Sequence, residues 1–397
     1  MNSYKLSRAW AEIHLDRFRH NLSAIKDSLQ EGVKVMAMIK ADAYGCGVSE
    51  ISKVAAKNGA DYLAVACVDE AKQIRRNGIE LPILILGATP LECVEDLFRY
   101  RIIPTVFEKQ LPQAISRYAQ EHGETLKIHI KVDTGMGRLG FPYYDSSYRE
   151  SVNEILEISR MNGIEVEGIF THFSNADCED SKPVTEKQFQ CFLEIIEKLR
   201  ENGLSIPVRH AANSAATCLY PHMHLDMVRP GIILYGEYPS QYVKERTSLK
   251  LKPVMELKAR VWQVKKVRLG QGISYGKTYV TDGEKILATV GIGYADGYFR
   301  NLSNQIQVII NGQLARQVGN ICMDQTMVDV TEIPNVTYGT EVILVGTSGE
   351  QTISFSQMAA LSGSINYEMM CDTGKRIVKA YLDGDRLLKT VNYIDKF

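Results

Sequence analysis

Over the first two thirds of the chain, short apolar and β-branched runs alternate with longer charged, amphipathic stretches, a rhythm that predicts βα units. Candidate strands are VKVMAMIK, closing on Lys40, DYLAVA (61–66), PILILG (82–87) and RIIPTV (101–106). LKIHIKV (126–132), VEGIFTH (166–172), PVRHAAN (207–213) and DMVRPGI (226–232) follow. Between them ISKVAAKNG, VDEAKQIRRNG and TEKQFQCFLEIIEKLRENG carry apolar residues at helical spacing and stop on glycine. Eight strands with intervening helices predict a (β/α)8 barrel, with an open doubly wound sheet as the alternative.

After about residue 240 the period changes from helical to alternating. MELKARVWQVKKVRL, EKILATVGIG, QIQVIINGQLARQVG, MVDVTEI and TEVILVG are separated by Gly, Asn and Asp turns, which predicts a mainly β second domain. The expected division is an N-terminal strand within 1–12 that joins the β domain, a barrel over 13–240, and the β domain over 241–397. The boundary falls near YGEYPSQYVKERTS.

Composition narrows the partners. With 46 Lys plus Arg against 47 Asp plus Glu in 397 residues, neither nucleic acid nor an anionic membrane is the expected partner. The start of the chain has no basic segment leading into an apolar run, and the apolar stretches are too short to cross a bilayer, so a cytoplasmic location is expected. Eight scattered cysteines without a CxxC pair read as reduced, mostly packed thiols.

Candidate chemistry gathers at predicted strand ends. In MIKADAYGCG, Lys40 is either a lysine that forms a Schiff base with a carbonyl cofactor or a surface residue ending a strand. Tyr44 either holds a phosphate or roofs the barrel. KVDTGMGRLGF is a glycine-rich loop in which Arg138 can grip a carboxylate or pair with Lys131 and Asp133 as neighbours in an ordinary ionic cluster. His172 and His210, at two successive strand ends, lack a third ligand at metal spacing, and a hydrogen-bonded network around a flat ring is the better reading. Asn213 and Ser214 serve that network or cap a helix. Arg229 ends the eighth strand, and Gly231 with Ile232 opens a turn whose N–H groups face the mouth, a usual phosphate position in barrels. In the β region Tyr294 lies in GIGYADGYFR, and Met323 and Asp324 lie in GNICMDQ. A tyrosine works as an acid or base only where neighbouring cations lower its pKa, and most tyrosines are packing residues.

Taken together, WAEIHLD, IKADAYGCG, KVDTGMGRLGF, THFSNAD, HAANSAA, MVRPGI, GISYGKTY, GYADGY, CMDQ and INYE run along nearly the whole chain in an order that resembles the alanine racemase family. The resemblance implies a pyridoxal 5'-phosphate barrel with an appended β domain and a head-to-tail homodimer with shared sites. It implies that Lys40 binds the cofactor covalently and that Tyr294 of the other subunit is the opposing acid/base. Phosphate contacts are expected from Tyr44, Ser214, Gly231, Ile232 and Tyr367, with Asn213 among the cofactor-binding residues. Arg229 is expected to face the pyridine nitrogen, with His172 and His210 in the network around it. Arg138 is expected on the cofactor phenolate and the substrate carboxylate, and Lys131 at a position that is often carbamylated. Met323 and Asp324 are expected to border the partner's substrate, and no metal is expected.

Three departures stand out: Asn320 replaces an arginine of GRxCMDQ, KRIVKAY lacks a proline, and Asn175 follows THFS. The expected reaction interconverts L- and D-alanine, since Tyr367 keeps a phenol where similar serine racemases carry a smaller polar residue. Racemisation of serine or another polar or charged amino acid is the runner-up. A non-catalytic pyridoxal phosphate protein, which would lack the β domain, and a barrel decarboxylase fit less well.

Overall fold

A computed structural model describes residues 7–394, so residues 1–6 of the expected N-terminal strand segment and the last three of the β domain lie outside the described residues. The first strand, β1 (Ala9–His14), precedes the barrel, whose strands are β2 (Lys34–Met38), β3 (Tyr62–Val65), β4 (Ile83–Ile85), β5 (Ile102–Ile103) and β6 (Thr105–Val106). They continue as β7 (Leu126–Asp133), the short β8 (Phe141–Pro142), β9 (Ile164–Phe170), β10 (Val208–His210) and β11 (Met227–Val228). All are parallel, in two arcs: β11-β2-β3-β4-β5, and β6-β7-β9-β10. Hydrogen bonds from Asp226 N to Arg209 O (3.1 Å) and from Arg229 N to Ala212 O (2.9 Å) join β10 to β11 and close the ring.

RIIPTV, read as one strand, is two. Pro104 has no N–H to give to the ladder, so the segment bends there, β5 pairing with β4 and β6 with β7. Counting that interrupted segment once and leaving out the two-residue β8, which pairs only with the end of β7, the barrel has the eight strands expected, and the doubly wound alternative is excluded. The strands are apolar on both faces because one faces the barrel interior and the other the helices. Helices such as Lys182–Glu201 bury an apolar stripe (Phe189, Phe192, Ile195, Leu199) against them.

The β domain is built on a long strand, β12 (Met255–Val267). Its first half pairs antiparallel with β1 and with the strand Glu341–Ser348; past an irregularity at Val261–Gln263 its second half pairs with Lys285–Val290. β1 lies between β12 and the parallel strand Val378–Asp383. In the hairpin of Gln307–Ile310 and Gln313–Arg316, Asn311 and Gly312 both take positive φ, as the tight turn demands.

Candidate active site

The mouth of the barrel collects the side chains that end β2, β7, β9, β10 and β11. Lys40 follows β2, half-buried, and burial followed by the nearby Arg138 cation lowers its pKa, so more of the amine is neutral than on an exposed lysine. Directly after it, Ala41, Asp42, Ala43 and Tyr44 all take φ between 52° and 55°, a full left-handed turn. Such a turn costs about 1–2 kcal/mol per residue, so its neighbours must hold it. Glu70 accepts from Ala41 N and Ala66 N, both at 2.7 Å. Asp42 accepts from Val48 N at 2.8 Å, and from Lys379 Nζ at 2.6 Å and Tyr393 Oη at 3.0 Å in the β domain.

Opposite lies Arg229, a buried cation with no carboxylate partner among the described residues. It donates to Thr171 O (2.8 Å) and Ala211 O (3.0 Å), and meets His210 Nδ1 at 3.2 Å and His172 Nδ1 at 3.3 Å. Burial lowers its pKa to about 9, and it remains charged at neutral pH. Burial first, and the Arg229 charge second, press both histidines well below their usual range, so their rings are neutral. Lys131 is buried over the Phe170 ring at 4.4 Å; burial, then Arg229 and Arg138, hold its pKa well below that of a free lysine. Arg138 is exposed at the mouth. The ordinary ion pair with Asp133 is not formed, because that carboxylate accepts from the N–H groups of Gly135, Met136 and Gly137 and shapes the loop.

The phosphate-side residues converge. Gly231 N donates to Ser214 Oγ at 2.8 Å, and a Cβ at Gly231 would fall 2.5 Å from Tyr44 Oη, so only glycine fits. The Tyr44 ring stacks on Tyr235 at 4.6 Å and lies 6.2 Å from that of Tyr367. Tyr367 arrives on the helix Asn366–Cys371 of the β domain, which passes so close that a Cβ at Gly45 would meet Met370 O at 2.2 Å. Ile232 begins a short buried turn, and Asn213 caps the helix Ser214–Leu219 by accepting from Ala216 N at 3.0 Å. These groups fit pyridoxal phosphate: an amine for the carbonyl, hydroxyls and a backbone turn for the phosphate, and an unmatched buried cation for the electron-rich ring nitrogen.

Tyr294, Met323 and Asp324 stand apart. No hydrogen bond, ion pair or ring contact joins them to Lys40, Arg138 or Arg229 among the described residues. Tyr294 is 41% exposed and Met323 52%, and the two segments bind one another through Tyr294 N to Cys322 O (3.0 Å) and Ala295 N to Met323 O (3.1 Å). The carboxylates of Glu12 and Glu256, which converge with His14, are matched by Lys258 (2.7 and 3.1 Å) and Arg17 (2.8 Å), so they form an ionic cluster.

Comparison with known proteins decides the family. Residues 13–239 match the family described as alanine racemase, N-terminal domain, and residues 254–381 match alanine racemase, C-terminal domain.

The chain belongs to the alanine racemase family.

It is 42% identical to alanine racemase 1 of Clostridium acetobutylicum over 385 residues, 97% of this chain and 98% of that protein. A solved alanine racemase of Clostridium difficile 630 superposes with a TM-score of 0.91 at 43% identity, covering 98% of this chain and 99% of that one. A histidine racemase of Leuconostoc mesenteroides is also similar, at 29% identity and a TM-score of 0.84, over 95% of this chain and 98% of the other.

Against that alanine racemase frame the departures acquire structural roles. The Asn320 side chain donates to Tyr275 O at 2.7 Å, pinning an exposed turn, while its backbone carbonyl accepts from Ser274 Oγ as that of any residue would. Asn175 is exposed, and nothing in the structure explains its identity. KRIVKAY supplies Lys379 to Asp42, and Arg376 to both Asp296 (3.0 Å) and Asp324 (2.8 Å). Residue-by-residue reading missed Arg376, Lys379, Asp42 and Asp296, which act through partners far away in sequence.

Proposed function

We infer that this protein is a pyridoxal phosphate-dependent racemase that interconverts L- and D-alanine. The carrying observation is that one barrel mouth presents a half-buried Lys40 and a buried Arg229 without a carboxylate, in a chain that matches both domains of the family along nearly its whole length. When bound, pyridoxal phosphate supplies the electron sink that lets a Cα proton leave.

The rest is the work of this chain's own residues. Residues 13–240 would hold the cofactor: Lys40 through its carbonyl, Tyr44, Ser214, Gly231 and Ile232 on its phosphate together with Tyr367, and Arg229 at its ring nitrogen. With the cofactor bound, Arg229 would disfavour full protonation of that nitrogen, which an aspartate there would favour. Inversion needs a proton removed from one face of Cα and returned to the other. Lys40 Nζ exchanges it on the face used by the D enantiomer, and Tyr294 Oη of a second copy on the face used by the L enantiomer. Arg138 holds the substrate carboxylate, steadied by Lys131 once that amine is carbamylated, and His172 and His210 support Arg229.

The exposure of Tyr294 and Met323 supports a head-to-tail homodimer in which 241–397 and the N-terminal strand carry Tyr294, Met323 and Asp324 to the partner's barrel. No helix among the described residues is long and apolar enough to cross a membrane, in keeping with a cytoplasmic location. The β domain separates the chain from a mere cofactor carrier, which needs no second proton donor.

Likeness to a histidine racemase keeps a polar amino acid as the second reading. Initial rates of the cofactor-loaded protein on L-alanine, L-serine, L-histidine and charged L-amino acids, read by chiral separation, separate the two. A dominant rate on alanine, with serine as a side reaction, is expected; a dominant rate on any other amino acid moves the substrate, and none at all removes the reaction.

A further inference from the structure

A row of buried polar groups runs down the barrel interior from Arg229, away from the mouth. Arg229 Nη1 meets His210 Nδ1 at 3.2 Å, and His210 Nε2 meets His129 Nδ1 at 2.9 Å. His129 Nε2 meets Glu167 Oε2 at 3.3 Å, and Lys127 Nζ donates to Glu167 Oε1 at 2.8 Å. Both imidazoles are fully buried, and a Cβ at Gly168 would lie 2.4 Å from a carbon of the His129 ring, so the barrel makes room for that ring. Glu165, Glu167 and residues 124–127 line a cavity of about 430 Å³ where the row ends.

The two ends fix every proton between them. A guanidinium only donates, so His210 Nδ1 must be bare and its proton must sit on Nε2. His129 Nδ1 must then accept, which places the His129 proton on Nε2, where an ionised carboxylate accepts it. Protonating His129 fully would put an N–H against His210 Nε2, move that ring's proton to Nδ1, and set donor against donor at Arg229. Burial, the first cause in each case, keeps both rings neutral.

We propose that His129 and Glu167 are positioning residues for the reaction inferred above, acting on Arg229 through His210 by imposing one direction of hydrogen bonding along the barrel. The proposal rests on that reading of the site. The chain of donors anchors Nη1 of Arg229, while Nη2 is held by Thr171, Ala211 and His172. Nε–H and the second N–H of Nη1 are the donors that no protein acceptor takes among the described residues, and they are left for the cofactor. The row also connects the buried cation to the carboxylate of Glu167, so charge lost at Glu167 is felt at Arg229.

The test reads the tautomers in the cofactor-loaded enzyme carrying nitrogen-15 histidine, with His129→Gln used for assignment. Two neutral rings, each protonated on Nε2 and bare on Nδ1 from about pH 6 to about pH 9, are expected. A doubly protonated ring, or a proton on Nδ1 of either, overturns the proposal without any substitution. Glu167→Leu removes the terminal acceptor; a mixed His210 tautomer and a kcat lowered roughly 10–100-fold, with KM changed by less than about 3-fold, are expected. Glu167→Gln, which keeps an acceptor but not the charge, should fall between. A cooperatively folded Glu167→Leu protein with wild-type tautomers and wild-type kcat overturns the proposal as well. Wild-type protein that racemises nothing would remove the proposed reaction but leave the tautomer result standing, so the two failures are distinguishable.

Discussion

Lys379 Nζ lies 2.6 Å from Asp42 Oδ2, a bond that ties the strand Val378–Asp383 of the β domain to the left-handed turn directly behind Lys40. Lys379 is buried, while the Asp42 side chain is 37% exposed. Asp42→Ala leaves the ammonium without its carboxylate and should lower stability by roughly 2 kcal/mol, less than the cost for a fully buried pair because solvent screens one partner. Lys379→Met should cost about 1 kcal/mol, since the more accessible Asp42 is the group left behind. Urea midpoints of the cofactor-loaded proteins measure both; an Asp42→Ala midpoint equal to wild type would mean that the turn holds itself.

Removing the amine at Lys40 is the most direct probe of cofactor attachment. Lys40→Ala should lose the absorption band near the visible edge that marks the lysine-linked cofactor, and its rate should fall at least about 1000-fold. A protein that kept the band and the rate would have its attachment elsewhere.

Tyr294→Phe separates the two faces of Cα. Solvent deuterium should enter L-alanine roughly 100-fold more slowly than in wild type, while its entry into D-alanine changes little and the cofactor stays bound. Small and equal effects on the two enantiomers would remove Tyr294 from its place as second base.

Glu167 gives the fold a pH dependence whose sign follows from its surroundings. Burial alone would raise its pKa, but hydrogen bonds from His129 and Lys127 outweigh it and bring the value from 4.5 down to about 2. A depressed carboxylate contributes stability above its unfolded pKa and loses it as pH falls through the folded one. That contribution, on the order of 3 kcal/mol, should be present above about pH 4.5 and fade towards pH 2. Glu167→Gln should flatten this part of the stability curve in acid denaturation; an unchanged slope would assign the acid sensitivity to other carboxylates.

Much of this was legible in the chain itself because period and punctuation are local. VKVMAMIK ends where β2 gives way to Lys40, NG falls at the Asn311–Gly312 hairpin turn, and the Pro104 break needed only a stricter reading of proline. What stayed hidden was made by distance. Four consecutive left-handed residues in ADAY carry no local sign, since Ala41 and Ala43 are ordinary helix formers; the conformation is held by Glu70, Lys379 and Tyr393. His129 on β7 and Glu167 on β9 stand 38 residues apart, and only the pairing of those two strands makes them neighbours.

The placement of β1 between β12 and the strand Val378–Asp383 makes the order of synthesis matter. The barrel is complete once about 240 residues have left the ribosome, but the first strand made must wait for nearly the last one before its sheet can form. β12 can pair one edge of β1 once it emerges, but the other edge, with Trp10, Ala11 and Ile13 along it, has no neighbour until Val378–Asp383 is made, so the newborn chain carries an open sheet edge beside a finished barrel and depends on its own tail to cover it.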